Sequence, residues 1–198
     1  WTVGVALLGF FYSIVADQAE SILENNPEMA DFLAMLGTGS ITDAFLATSM
    51  LMMGLVATGY TVSAVLRLRT EETAGRADLI LTTPASRRAW MSSHLLLACG
   101  GTTVVMSVTG AAMGVGLASV TGDLWQIPRL LGAALAMVPA LMVVAGLAAV
   151  LYGLLPKWAP LAWGIVAFVV VVGLLQGILD LPQWVLDLSP FEHVPAIP

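Results

Sequence analysis

Residues 130–155 read LLGAALAMVPALMVVAGLAAVLYGLL, 26 positions without one charged side chain. About 20 predominantly apolar residues in a helix cross the roughly 30 Å hydrocarbon core of a bilayer. This stretch therefore reads as a membrane span, and residues 161–179, LAWGIVAFVVVVGLLQGIL, read as the next. Working outward, residues 1–16, 44–66 and 91–120 form three further apolar runs. The third of these is long enough to tilt or to protrude from the bilayer. Of the 198 residues 59% are hydrophobic and 10% charged, and the mean hydropathy is +0.93. Soluble domains carry about 25% charged residues, so a water-facing surface of this size is excluded. The expected fold is all-α: a polytopic integral membrane protein, with residues 1–198 a single transmembrane domain of five spans.

The chain opens on Trp1 inside an apolar run, with neither the basic segment nor the small-residue cleavage site of a signal peptide. It is expected to be a piece of a longer polypeptide, with a sixth span following Pro198.

Charge fixes the orientation. Arg67, Arg69, Arg76, Arg87 and Arg88 lie between spans two and three, and Lys157 between spans four and five. These loops share one side and hold six of the seven basic residues, so loops 67–90 and 156–160 are expected in the cytoplasm. Residues 17–43, 121–129 and 180–198 then lie outside, with Arg129 and most of the acids. Within 17–43 an acidic, amphipathic segment is broken at Asn25-Asn26-Pro27. From Leu181 onward, Pro182, Pro190, Pro195 and Pro198 surround Trp184, Leu188 and Phe191. Prolines prevent a span there, and a short interfacial or re-entrant helix is expected over 183–188.

The loop RLRTEETAGRADLILTTPASRR, residues 67–88, is the most informative part. Arg69 and Glu72, then Glu72 and Arg76, stand at helical spacings that favour ion pairs, so residues 68–82 read as a short helix continuing from span two. Pro84 ends it, and Ser86 is placed to cap the start of span three. The plain reading is a solvated loop with stop-transfer arginines. The functional one is a helix with leucines above and charges below, docked into a partner.

The pattern Arg69-x-Glu71-Glu72-x-x-Gly75-Arg76-x-Asp78, followed by Leu81, Pro84 and Arg87, resembles the coupling-helix loop of type 2 ABC exporter permeases. It is most similar to exporters of polyketide or ionophore antibiotics, the tetronasin-like group of high-GC Gram-positive bacteria. Asp78 stands where that family more often has Glu. The segment LSPFEHVP, residues 188–195, resembles the family's outer segment before its last span. The resemblance covers roughly residues 45–198. It implies a six-helix half, paired with a second permease half that is fused or separate. A separate ABC ATPase, which binds ATP and Mg, docks on the cytoplasmic loops. Arg69, Glu71, Glu72, Gly75, Arg76 and Asp78 become the ATPase-coupling residues, and the cargo a hydrophobic small molecule such as an antibiotic or drug. The competing reading is a non-transporting membrane anchor or regulatory subunit for a cytoplasmic partner.

The chain lacks a Gly-x4-Gly-Lys-Ser/Thr phosphate loop, and its single lysine follows Pro156. ATP hydrolysis is therefore expected in a partner, and this chain is expected to be no enzyme. His94 and His193 fall on opposite sides of the bilayer, Cys99 is alone, and no Ser, His and acid set shares one depth. Neither metal nor cofactor is expected on this chain, and no nucleic-acid partner. No acid or base sits at mid-bilayer, which argues against ion-coupled transport. His94 reads as interfacial. Met50, Met52 and Met53, with Tyr60 below, offer an adaptable apolar surface for a pathway or for ordinary packing. Gln176 lines a pathway or bonds a neighbouring helix. Asp187, Glu192 and His193 are outer-gate candidates. Gly110-x-x-x-Gly114 and Gly173-x-x-x-Gly177 permit close helix contact, and Pro139 should kink span four.

Overall fold

A computed structural model describes residues 1–24, 41–74, 87–175 and 182–194 of the chain. Among them every regular element is helical: α1 (Thr2–Glu24), α2 (Ile41–Thr73), α3 (Arg87–Thr121), α4 (Gln126–Ala136), α5 (Val138–Leu154), α6 (Ala162–Leu175) and α7 (Gln183–Leu186). Two 3-10 turns, Pro156–Leu161 and Pro190–His193, complete the order. Four stretches are long and apolar enough to cross a membrane: Thr42–Thr73, Ala89–Thr121, Gln126–Leu154 and Pro156–Leu175. A shorter apolar stretch, Thr2–Ala16, forms the start of α1. The all-helical polytopic fold agrees with the pattern of the sequence.

The first three helices outrun the apolar runs that announce them. At 33 residues α2 is about 50 Å long, well beyond the hydrocarbon thickness. The segment after Arg67 begins as an uninterrupted continuation of this helix as far as Thr73, as the spacing of residues 68–82 predicts; the remainder of that segment lies outside the described residues. Between α3 and α4 the chain turns at Gly122, whose φ of +74° suits a residue without Cβ. Asp123 Oδ1 then accepts the Trp125 N–H at 3.0 Å and Oδ2 the Gln126 amide at 3.0 Å, satisfying donors at the start of α4. The fourth span is two helices. Pro139 has no N–H for the carbonyl of Leu135, four residues back, and the helix breaks at Met137. The disturbance expected at Pro139 takes the form of a break in the helix, two residues upstream of the proline.

The chain divides into two compact units. The first comprises residues 1–54 and 105–137, with 195–198. In it, α1 packs on α3 through small residues: a Cβ on Gly9 would lie 2.8 Å from Met113, and one on Gly116 would lie 2.7 Å from the Phe10 carbonyl oxygen. On another face of α3, a Cβ on Gly110 would stand 2.7 Å from the Leu130 carbonyl oxygen, and one on Gly114 would stand 2.5 Å from Ile127 Cα. The expected close contact is thus made between α3 and α4. At the ends of α2 and α4, Asp43 and Arg129 form an ion pair at 2.7 Å. Arg129 also donates to Gln126 at 3.1 Å.

The second unit comprises residues 55–104 and 138–194. Here the Thr61 and Thr102 hydroxyls meet at 2.9 Å between α2 and α3. Thr61 also lies within bonding distance of the Ala57 carbonyl and Thr102 of the Ala98 carbonyl; with one proton per hydroxyl, one threonine donates across the contact and the other to its own helix, which satisfies both without water. The turn Pro190–His193 packs on α5 and α6 and buries Phe191. The helix expected over 183–188 covers Gln183–Leu186 and is followed by this turn.

All six tryptophans stand at or near an end of a helical element: Trp1, Trp90, Trp125, Trp158, Trp163 and Trp184. Tryptophan favours the membrane interface. Inside the spans the burial is uneven, 61% of the apolar window of Thr42–Thr73 against 28% of that of Pro156–Leu175. Of the four apolar stretches, the window in Thr42–Thr73 is thus the most buried and that in Pro156–Leu175 the least.

Candidate functional site at the charged end of the second span

The last turns of α2 carry Leu66, Arg67, Leu68, Arg69, Glu71 and Glu72. Leu68 is fully buried, and with Trp90 of α3, Tyr152 of α5 and Ala159 of the 3-10 turn it forms a closed apolar cluster. Leu66, Met91 and Leu95 pack around it. Arg67 is exposed, while Arg69, Glu71 and Glu72 are half-buried. The four elements that meet here converge at one end of the second unit, where α2 and α5 finish and α3 begins.

Electrostatics at this end is unusual for a helix. Two acids occupy the last turn of α2 and no base does, whereas helix C-termini favour cations by about 0.3–1 kcal/mol. The carboxylate of Glu72 does not project freely. Its Oε2 accepts the Tyr152 hydroxyl at 2.5 Å, a short hydrogen bond from a phenol that is 4% exposed. The bond joins the closing turns of α2 and α5. Beside it, His94 Nδ1 is 3.1 Å from the Trp90 carbonyl and its ring lies against the Trp90 indole. The Trp90 Nε1 is buried, with no hydrogen-bond partner among the described residues.

The candidates from the sequence fall at different places. Arg69, Glu71 and Glu72 are together at the end of α2. Gly75, Arg76 and Asp78, and likewise Gln176, lie outside the described residues, as do Pro84 and Ser86. Met50 and Met53 are buried in the first unit. Tyr60, in the second, lies directly over Gly101, where only a residue without Cβ leaves space for the phenol. Asp187 is exposed and accepts the Gln183 amide at 3.1 Å; His193 is exposed, with Nδ1 3.3 Å from the Ser189 carbonyl. Each outer candidate is thus held within its own short segment. Tyr152 and Trp90 are absent from the sequence reading. Tyr152 has the only side-chain hydrogen-bonding group in the run 130–155, a signal that marks it for attention.

Apolar helices of this length, capped at one end by a charged helix terminus anchored to three neighbours, define a polytopic membrane domain. The chain belongs to the family described as multidrug efflux system permease Rv1217c, C-terminal domain, which matches residues 1–198. It is 35% identical over 199 residues to the multidrug efflux system permease protein Rv1217c of Mycobacterium tuberculosis, covering 100% of this chain and 36% of that protein. The chain spans about a third of the length of this relative. It is a multi-pass bacterial membrane protein of the efflux-permease class.

Proposed function

We propose that the chain is the membrane-spanning part of an ATP-driven exporter of hydrophobic small molecules, powered by a separate ABC ATPase. The observation that carries this reading is the match of the entire chain to the C-terminal domain of a multidrug efflux permease. A second permease half, fused or separate, completes the pathway. The resemblance of residues 67–88 to the coupling loops of antibiotic exporters supports both the ATPase partner and a cargo of the polyketide or ionophore type. ATP and Mg bind in that partner.

In this reading loops 67–90 and 156–160 face the cytoplasm. Glu71, Glu72 and Arg76 contact the ATPase, braced by Arg69, with Gly75 and Asp78 in the same coupling segment. Met50, Met53 and Tyr60 border the pathway, with Gln176, Asp187 and His193 toward its outer gate. The apolar, unbranched methionines suit varied cargo, and apolar runs without acids or bases are consistent with a driving force supplied from outside the membrane.

Co-purification of the full-length protein with the candidate ATPase, followed by substrate-stimulated ATPase assay in lipid, tests the proposal. The expected result is a stable complex whose hydrolysis rises with a hydrophobic antibiotic. Reversing charge at both Glu72 and Arg76 (E72K with R76E) should leave membrane insertion intact and remove the stimulation. A full-length protein that recruits no ATPase would favour the anchor reading instead.

A further inference from the structure

We infer that Tyr152 is a positioning residue, and that its bond to Glu72 is the strut through which the end of the second span drives the fourth. The inference rests on reading residues 67–90 as the coupling segment. It adds a force-bearing element that the loop sequence does not contain, and it gives the Glu72 carboxylate a partner within the chain.

Three observations converge on it. Glu72 is one residue from the end of α2 and Tyr152 two from the end of α5, so the 2.5 Å bond links two helix termini. A link at termini moves both helices together, with the least flexible backbone between bond and span. Next, the Tyr152 ring is fixed. It is packed with fully buried Leu68 and Ala159 and with Trp90, so the hydroxyl cannot swing away to follow a moving carboxylate. Displacement of Glu72 is therefore passed on to α5. Finally, α5 begins at Val138, immediately after the break at Met137. Pro139 removes a backbone bond there, so α5 can respond as one rigid helix.

Acids in the last turn of a helix are unfavourable for the helix dipole, and the bond to Tyr152 offsets that cost at Glu72.

Tyr152→Phe is the cleanest variant because it keeps the buried ring and removes only the hydroxyl. The full-length transporter with its ATPase would be reconstituted in liposomes, and export of ethidium and of a polyether ionophore measured alongside ATP hydrolysis. The strut predicts that molecules exported per ATP fall about tenfold in Y152F, within the range of coupling between distant sites. Glu72→Ala should match it, the double variant should be no worse than either single, and Glu72→Gln, which can still accept the bond, should lie between. A merely structural role would lower hydrolysis and export together and leave their ratio unchanged, which would overturn the inference. Multiplicative losses in the double variant would do the same, since the two residues would then act separately. If the unmodified transporter shows no ATP-driven export of either probe, the coupling reading itself fails and the strut with it. Normal export by the unmodified protein and by Y152F alike defeats the strut alone.

Discussion

Replacing Gly110 and Gly114 together by alanine is expected to lower the thermal unfolding midpoint of the full-length protein in detergent by roughly 10 °C. Between membrane helices there is little hydrophobic drive, so association depends on close packing of small residues. Both glycines of α3 face α4, and neither has space for a methyl group: at 110 it would meet the Leu130 carbonyl oxygen at 2.7 Å, and at 114 Ile127 Cα at 2.5 Å. These neighbours are backbone, which cannot rotate aside, so α4 must move as a body. Overpacking of this kind costs about 1–3 kcal/mol per site, and for a domain of this size each kcal/mol shifts the midpoint by about 2–4 °C. Gly100 and Gly132 have nothing within 4 Å of a Cβ at their positions. Alanine there should hold or raise the midpoint, because it favours helix by up to about 1 kcal/mol over glycine. An equal fall in both pairs of variants would show that the loss comes from helix propensity or expression and not from the α3–α4 contact.

The second large effect is at Trp90. Its indole is 6% exposed and closes the cluster of Leu68, Tyr152 and Ala159. Trp90→Ala leaves a cavity among three helices and a turn, at about 3–5 kcal/mol, again a fall of roughly 10 °C by thermal unfolding. Trp90→Phe should fall by far less. It keeps an aromatic ring in place and removes an N–H with no acceptor among the described residues, a group whose burial costs about 1–3 kcal/mol when unpaired. If the phenylalanine variant loses as much as the alanine variant, the indole N–H makes a bond that matters.

These two sites divide what the sequence makes legible from what it hides. Hydropathy and charge placement reveal a helical membrane protein because the bilayer imposes its length on every span and its charge asymmetry on the loops. Gly110 and Gly114 are visible for a similar reason: their four-residue spacing puts both on one helix face, whatever the partner is. The partner itself, α4, is not visible, and neither is the α1 contact at Gly9 and Gly116, because helix pairing depends on tertiary placement. Pro139 announces a break, but its position at Met137 follows from the carbonyl four residues before the proline. At the charged end of α2, local rules pair Glu72 with Arg69 and Arg76. They cannot see Tyr152, which is 80 residues away in sequence. A lone hydroxyl in an apolar run is the only trace it leaves.

The central claim is that this domain carries cargo outward at the expense of a partner's ATP. Inverted membrane vesicles containing the full-length protein and its ATPase test it most directly, with ethidium and a polyether ionophore as probes. ATP should drive accumulation of a probe inside the vesicles, abolished when E72K and R76E are combined although the protein is still inserted. Vesicles that accumulate neither probe with ATP, or in which the double reversal transports as well as the unmodified protein, would contradict the account.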